Sequence, residues 1–560
     1  MGDIARFLSH KVLFITGSTG FLAKGLVEKI LRDAADVKRV YLLIRPGAQG
    51  GAEERLEREV FRTPAFTRLM RTLGPRFHEL TRQKVVAVAG DLTQSRLGID
   101  PDLYAKLTAE VDIVINSAAT VVFDEEIDLA LDLNTLGPRR ILEFAQACRD
   151  AVFCHVSTAY VNGQRTGLVP EALMPPDRSV AQMIDPSADG HYDLEAEIAS
   201  ILVFARQVEA DPWNTAVQSE LRRTIERQSA GNGIPAQRTK HQVEGLRTSW
   251  VKRRLVDEGM RRARRLGWND SYTLTKAMGE QLLARSRGNL PVVIVRPSII
   301  ESSLAEPEAG WLDGLKVADP LIVHYSKGRL PDFPADPSIV LDLIQVDLVA
   351  NAILAAVSRA REARDLPVYQ VASGTENPLK LGEMFEFMHE YFLKNPVQNR
   401  RGETIRVQRW TFPSLERFRR QCRLKYGIPL NTIQWLMRCS SALPWSPKLK
   451  QKVSVLEATL GRIMTLTDIY TPYMYLDCRF ETRNTRRLYE SLDSEDREKF
   501  NFDVRRIDWR EYVQDIHIPG LRRQQMLREM GGLPLPDPED RQSGLTGQPQ
   551  DLDERSLSVG

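Results

Sequence analysis

The chain has 560 residues, 42% of them hydrophobic and 27% charged, with 77 Lys and Arg against 74 Asp and Glu. That length exceeds one ordinary core, so two domains plus insertions are expected, and balanced basic and acidic runs with little aromatic interleaving argue against a nucleic-acid binder. Five scattered cysteines, Cys148, Cys154, Cys422, Cys439 and Cys478, show neither a C-x-x-C nor a Cys/His spacing, so no disulfide framework and no metal site is expected, and a reducing cytoplasm suits them best.

The amino terminus runs straight into a strand and glycine turn without a signal-peptide pattern, and no apolar run approaches the roughly 20 residues that span a bilayer. Contact with a membrane surface stays compatible with that reading, as does a homo-oligomer. Short apolar runs at 12–15, 40–44, 85–89, 111–115, 151–156 and 292–295 alternate with helical patterns. Strands of that kind lie in a parallel sheet covered on both faces, so the fold class is α/β, a doubly wound Rossmann sheet. The helix after the first strand shows the expected apolar stripe, Leu22, Leu26, Val27, Ile30 and Leu31.

Between that strand and helix stands TGSTGF, residues 16–21. Gly17 and Gly20 let backbone approach a pyrophosphate at the helix amino terminus, and Ala23 is small enough for close packing. The second strand ends at Arg45 with no carboxylate there, which favours NADPH over NADH, with Arg55 assisting. Asp91, ending the third strand, is placed to accept from the adenine amino group, and small Ala118 and Ala119 after the fourth let a cofactor pass close. The fifth run ends in Ser157 and Thr158, of which one hydroxyl is expected to meet substrate because neighbours on a strand point opposite ways. Cys154 within it reads as core.

The stretch 162–270 is too long for a bare loop and is expected to be a helical insertion, a lid or substrate-facing subdomain. Tyr272 and Lys276 follow it, one helical turn apart, so the ammonium is expected beside the phenol, favouring its ionised form. Leu274, Met278 and Leu282 form a second stripe, suited to the sheet, with Tyr272, Lys276 and Glu280 facing away from it. Arg296, in RPSII, ends the sixth strand. Beyond about residue 371 helical patterns dominate, and Leu456, Leu460, Ile463 and Met464 read as a core-packed face. The tail from 531 is rich in Pro, Gly, Ser and acidic residues and is expected to be disordered.

Glycine turn, arginine, Asp-Leu, Ala-Ala, Ser-Thr, Tyr-x-x-x-Lys and Arg-Pro in one order resemble the extended short-chain dehydrogenase/reductases. TGSTGFLAKGLVEKIL, INSAATVVFDEEIDLALDLNTLG, VSTAYVNG, YTLTKAMGEQLL and the block FNFDVRRIDWREYVQDIHIPGLRR narrow the resemblance to bacterial alcohol-forming fatty acyl-CoA reductases. It implies an NADPH-binding reductase domain over 1–375, with the helical insertion at about 162–270, and a mainly helical C-terminal domain over 376–530. It further implies cofactor contacts from Thr19, Gly20, Phe21, Leu22, Arg45, Arg55, Asp91, Leu92, Ala118, Ala119, Thr120 and Ile299, and chemistry by Thr158, Tyr272 and Lys276. Thr158 is preferred to Ser157 on the same ground, and Asn134 matches a structural or proton-relaying asparagine.

The implied reaction is NADPH-dependent reduction of long-chain acyl-CoA through a fatty aldehyde to the alcohol, with Lys276 also holding the cofactor ribose. Lys252, Arg253, Arg254, Arg261, Arg262, Arg264 and Arg265 are candidates for a coenzyme A entrance, and the segment 311–325 for an acyl groove. Arg417, Arg419, Arg420, Arg423 and Lys425 are instead candidates for contact with anionic lipid. The alternatives are an aldehyde-forming reductase that stops after one hydride, a nucleotide-sugar epimerase or dehydratase, and a non-catalytic NADPH sensor.

Overall fold

The computed structural model describes residues 2–529 apart from 48–49, 189–191, 212–218, 220–235, 316–317, 329–331, 364, 400 and 440–446. The tail expected to be disordered lies outside the described residues. In chain order the strands are β1 Val12–Thr16, β2 Arg39–Ile44, β3 Val85–Ala89, β4 Ile113–Asn116, β5 Val152–Val156, β6 Gly167–Val169, β7 Val292–Pro297, β8 Ile299–Glu301, β9 Leu343–Gln345, β10 Val368–Val371 and β11 Cys478–Phe480.

Seven of them pair in parallel in the order β10-β7-β5-β4-β1-β2-β3. All six strands read from sequence are in this sheet, and β10 is the addition. The order turns back between β1 and β4, which opens the crevice where such sheets bind ligands, outside the carboxyl ends of the strands. Strand alternation divides the core. Leu13 and Ile15 point to one layer with the helices Phe21–Asp33 and Val346–Ser358, while Val12 and Phe14 point to the other with Phe144 and Ile141.

The insertion is helical where described, with Leu194–Ala210 and Ala236–Arg265. It covers the helix Ser271–Ser286: Leu274, Met278 and Leu282 pack with Ile198, Ile201, Leu255 and Trp268, not on the sheet as expected. The opposite face, with Lys276 and Glu280, is the one turned to the sheet, and both side chains are buried. The carboxy-terminal part is mainly helical. Its Phe500, Phe502, Tyr512, Val513 and Ile518 join the same hydrophobic cluster as the first layer of the sheet. On the helix Pro447–Met474, Leu456 is 45% exposed and Leu460 and Met464 are only half-buried, so these three do not make a core face, and the side chain of Ile463 lies outside the described residues. The cysteines Cys148, Cys154, Cys422 and Cys478 are buried and free.

Candidate active site

The first edge of the crevice is a backbone cradle. Gly17, immediately after β1, has φ +71°, and a Cβ there would lie 2.7 Å from the Ala118 amide beyond β4. Only glycine tolerates both the left-handed backbone and the contact. The Ala118 amide donates to Thr16 Oγ1 at 3.2 Å, and Thr16 Oγ1 donates to Asn116 at 2.6 Å, so the two loops are locked together. Gly20 is the N-cap of the helix Phe21–Asp33, whose first turn holds no capping side chain and no acidic residue. An anion at that helix terminus meets the positive dipole end without a competing carboxylate, while Leu22, in the first turn, is buried in the core.

At the ends of β2 and β3, the Arg45 guanidinium is 62% exposed and stands 3.9 Å from Asp91 Oδ2. Asp91 Oδ1 accepts from the Thr93 amide at 2.9 Å and hydroxyl at 2.8 Å, which fixes the carboxylate. Arg55 differs from expectation. Its Nε and Nη2 donate to Glu59 at 3.0 and 2.7 Å, and its Nη1 donates to the Arg45 carbonyl. It braces the Arg45 backbone, while Arg45 alone presents its charge to solvent. Leu92 is buried against Gly137, and Ile299 lies half-buried in β8. The Thr120 amide donates to Asn134 Oδ1 at 3.0 Å, while Asn134 Nδ2 donates to the Thr120 carbonyl and to Thr275 Oγ1, each at 3.1 Å. Asn134 thereby ties the loop carrying Ala118 and Ala119 to the Tyr272 helix.

That helix begins at Asp270, whose Oδ1 accepts from the Thr273 amide at 2.8 Å as N-cap. Thr158, just beyond β5, is the hydroxyl that acts on the Tyr272 phenol. Ser157 Oγ is buried with no partner among the described residues, so of the two hydroxyls it is that of Thr158 that bears on the phenol's pKa. Lys276, one turn on, donates to the Val156 carbonyl at 2.7 Å. The expected acidified phenol is not what the fold produces. Burial raises the Tyr272 pKa, Thr158 opposes the rise, and the Asp270 carboxylate adds to it. Burial likewise pulls Lys276 down to about 8, with Glu280 acting the other way. The lysine spends its proton on the sheet backbone while the phenol keeps its own.

Arg296 does not reach into the crevice. Fully buried, it donates to Glu280 at 2.6 and 2.9 Å and to the Ala172 carbonyl at 3.0 Å, joining β7 to the Tyr272 helix. Most of the basic run on the insertion is also committed: Arg262 pairs with Glu258 and Glu197, Arg261 with Glu258, Arg265 with Glu197, and Lys252 lies 3.9 Å from Glu126. Arg253, Arg254 and Arg264 stay exposed. Of the segment 311–325, Trp311, Leu312, Ala318, Ile322 and Tyr325 are buried while Leu315 and His324 are exposed: Trp311 packs on Phe21 at 4.8 Å, and the Tyr325 hydroxyl bonds His389 and the Gln408 carbonyl at 2.8 and 2.7 Å.

Sequence reading missed an aromatic group over Tyr272. Phe123 meets the Tyr272 ring edge-on at 5.9 Å, and Tyr470 and Tyr473, from the far end of the chain, meet Phe123 at 5.8 and 5.4 Å. Their spacing of three on a helix places them on one face, a signal visible in the sequence, though nothing local says what that face touches.

Comparison with known proteins agrees with this geometry. An NAD-binding family model described as "Male sterility protein" matches residues 15–353, so the crevice belongs to a nicotinamide-nucleotide-binding domain, and a second model of the same description matches 432–527. "Fatty acyl-CoA reductase 2, chloroplastic" of Arabidopsis thaliana is 36% identical over 532 residues, covering 93% of this chain and 79% of that protein. "Alcohol-forming fatty acyl-CoA reductase" of Simmondsia chinensis is 35% identical, covering 93% and 98%. In fold, the terminal R domain from the myxalamid PKS-NRPS biosynthetic pathway superposes with a TM-score of 0.52 at 17% identity, over 94% of this chain and 93% of that one. The reductase (R) domain of a non-ribosomal peptide synthetase from Mycobacterium tuberculosis gives 0.51 at 18%, over 95% and 96%. With relatives above 30% identity along nearly its whole length, and the parallel sheet, glycine cradle and Tyr272 helix to match, the chain belongs to the fatty acyl-CoA reductase family.

Proposed function

We propose that the chain reduces long-chain acyl-CoA with NADPH to the primary alcohol, releasing coenzyme A by way of the fatty aldehyde. The convergence of the Tyr272 phenol and Thr158 at the carboxyl edge of β5, one helical turn from a Lys276 fixed on the Val156 carbonyl, is the observation that supports this most strongly. The relatives' names supply the substrate class. Arg45, exposed at the end of β2, suits a 2′-phosphate and favours NADPH. We assign residues 1–375 to the reductase domain and 376–530 to the carboxy-terminal domain.

NADPH held at the glycine cradle supplies the hydride. Gly17, Thr19, Gly20, Phe21 and Leu22 receive its phosphates, Asp91, Leu92, Ala118, Ala119, Thr120 and Ile299 flank it, and Lys276 holds its ribose. Tyr272 and Thr158 bind the thioester oxygen, on which negative charge develops, and Tyr272 gives it a proton. With its pKa raised, the phenol holds its proton at neutral pH until an oxyanion more basic than its own phenolate develops beside it. Coenzyme A departs as a thiol whose pKa of about 8.5 makes it a far better leaving group than an alkoxide. The same pair then serves the aldehyde oxygen. The purified protein with NADPH and palmitoyl-CoA is expected to consume two NADPH per thiol released and to yield hexadecanol. One NADPH with accumulated aldehyde would replace this reading by the aldehyde-forming one, and absence of thiol release would overturn it.

Peripheral contact with an anionic lipid surface is supported by the carboxy-terminal helices. Between residues 417 and 456 there are nine Lys and Arg and no Asp or Glu. Leu424, Ile428 and Leu436, four or eight apart along the helical stretch that includes Arg423–Gly427 and Ile428–Cys439, are each about half exposed. Basic residues beside an outward apolar stripe suit a surface-lying segment, and no helix among the described residues is long and apolar enough to cross a membrane. Co-sedimentation is expected with phosphatidylglycerol vesicles and not with pure phosphatidylcholine, and to fall as salt is added. Equal binding to both would contradict it.

A further inference from the structure

Tyr473 lies in the last turn of the helix Pro447–Met474, about 200 residues along the chain from Tyr272, yet it reaches the start of the Tyr272 helix by two independent routes. Its hydroxyl donates to Asp270 Oδ2. Asp270 is the N-cap residue, its other oxygen already accepting from the amide of Thr273 at 2.8 Å and its hydroxyl at 2.9 Å. The carboxyl is buried, and burial drives its pKa up to about 6 while the donors from Thr273 and Tyr473 hold it down. A buried cap oxygen deprived of its donor is costly, so the hydroxyl fixes where the first turn of the helix sits. Tyr272 belongs to that turn.

The second route is the ring. Tyr473 stacks on Phe123 at 5.4 Å with 29° between planes, and Phe123 meets the Tyr272 phenol edge-on at 5.9 Å. Tyr160, just past Thr158, meets the Tyr473 ring edge-on at 5.5 Å, so the same ring also touches the segment that carries the other hydroxyl. The cap sets the backbone position of Tyr272, and the stacked pair limits the sideways swing of its ring. Thr158 is the one hydroxyl that bears on the Tyr272 phenol, and by itself it leaves the phenol free to pivot.

We propose that Tyr473 is a positioning residue for the Tyr272 phenol, acting through the Asp270 cap and the Phe123 ring, so that the carboxy-terminal helix sets the geometry of proton delivery in the NAD-binding domain. The inference rests on Tyr272 being the proton donor. Displacement of a reacting group by about 1 Å costs on the order of a hundredfold in rate, and loss of one of two restraints is expected to cost less. Nothing in this arrangement touches the glycine cradle, so cofactor binding is not expected to change.

The test is a double-mutant cycle in the full chain with palmitoyl-CoA and NADPH. Tyr473→Phe keeps the ring and removes the hydroxyl, and is expected to lower kcat about tenfold with the KM for NADPH within about twofold of the parent. Added to Tyr272→Phe, it is expected to cost nothing further, because the group it positions is gone. Unchanged kcat in Tyr473→Phe would overturn the inference, as would the same tenfold loss repeated in the Tyr272→Phe background, which would show Tyr473 acting independently. Undiminished turnover in Tyr272→Phe alone would instead remove Tyr272 as the donor, and with it the group that Tyr473 is proposed to position. If Tyr473→Phe folds poorly, Phe123→Leu interrupts the ring route alone and is expected to show the same split between kcat and KM and the same silence behind Tyr272→Phe.

Discussion

In the proposed reaction Tyr272 is the general acid, which has to keep its proton until the substrate oxygen demands it, and burial raises its pKa further above the ordinary phenol value. The spacing of Tyr272 and Lys276 was plain in the sequence, and so was the Ser-Thr pair after β5. The direction of the phenol's pKa was not, because it depends on how deeply the insertion and the carboxy-terminal helix bury the site, which no local pattern records. The proposed choice of Thr158 over Ser157, preferred already on the resemblance, is open to test: Thr158→Val is expected to lower kcat about a hundredfold, whereas Thr158→Ser keeps most of the rate and Ser157→Ala changes it little. Steady-state kinetics on the three variants checks this, and a larger loss from Ser157→Ala would reverse the assignment. Lys276, pulled down to about 8 by burial, is charged below that pH and neutral above it. NADPH affinity measured by calorimetry between pH 7 and 9 is therefore expected to weaken as the pH rises, and Lys276→Met to show a weak, flat profile.

The Tyr272 helix is held as an element from every side. Gly279 packs so closely that a Cβ would stand 2.3 Å from the Asn134 carbonyl, and Glu280 and Arg296 form an ion pair with no exposure at all. Removing one partner of such a pair leaves a buried charge uncompensated, which costs about 3–5 kcal/mol. Arg296→Met is expected to lower the melting temperature strongly, and Glu280→Gln in the same chain to recover part of the loss, both readable by thermal unfolding. Sequence periodicity found the apolar stripe of this helix but assigned it to the sheet. Both faces are buried, and the polar one faces the sheet because Val156 and Arg296 supply partners there. The six long apolar strands were legible for the reason that they are covered on both faces. β10, with Tyr369 half-buried at the sheet edge, and the three-residue strands β6, β8, β9 and β11 carry too little pattern to stand out.

Across the whole molecule, the carboxy-terminal block closes onto the sheet through buried polar joints that composition could not reveal. Ser302 Oγ bonds His517 Nδ1 at 2.9 Å and Tyr512 at 3.0 Å, and His517 Nε2 stands 3.2 Å from Asp319. Glu301 completes a group whose ligand atoms lie within 4.8 Å of one another, but both imidazole nitrogens already face protein partners. Glu171 is the other joint, accepting from the Gln370 amide at 2.6 Å and from the Thr485 hydroxyl at 2.6 Å. Burial raises its pKa to about 7 against those hydrogen bonds. Between its ordinary value near 4.5 and about 7 the folded chain binds more protons than the unfolded one, so this group's contribution falls as the pH rises through that window, by on the order of 3 kcal/mol in all. Melting temperatures at pH 5 and pH 8 are expected to show Glu171→Gln gaining on the parent as the pH increases.

The most direct measurement is turnover of palmitoyl-CoA by Tyr272→Phe, in a sample shown by calorimetry to bind NADPH as the parent does. A kcat lower by at least about a hundredfold is expected when the acid is lost from an otherwise intact site. A rate equal to the parent's, with cofactor bound and the fold intact, would contradict the assignment of Tyr272 as the group that protonates the substrate oxygen.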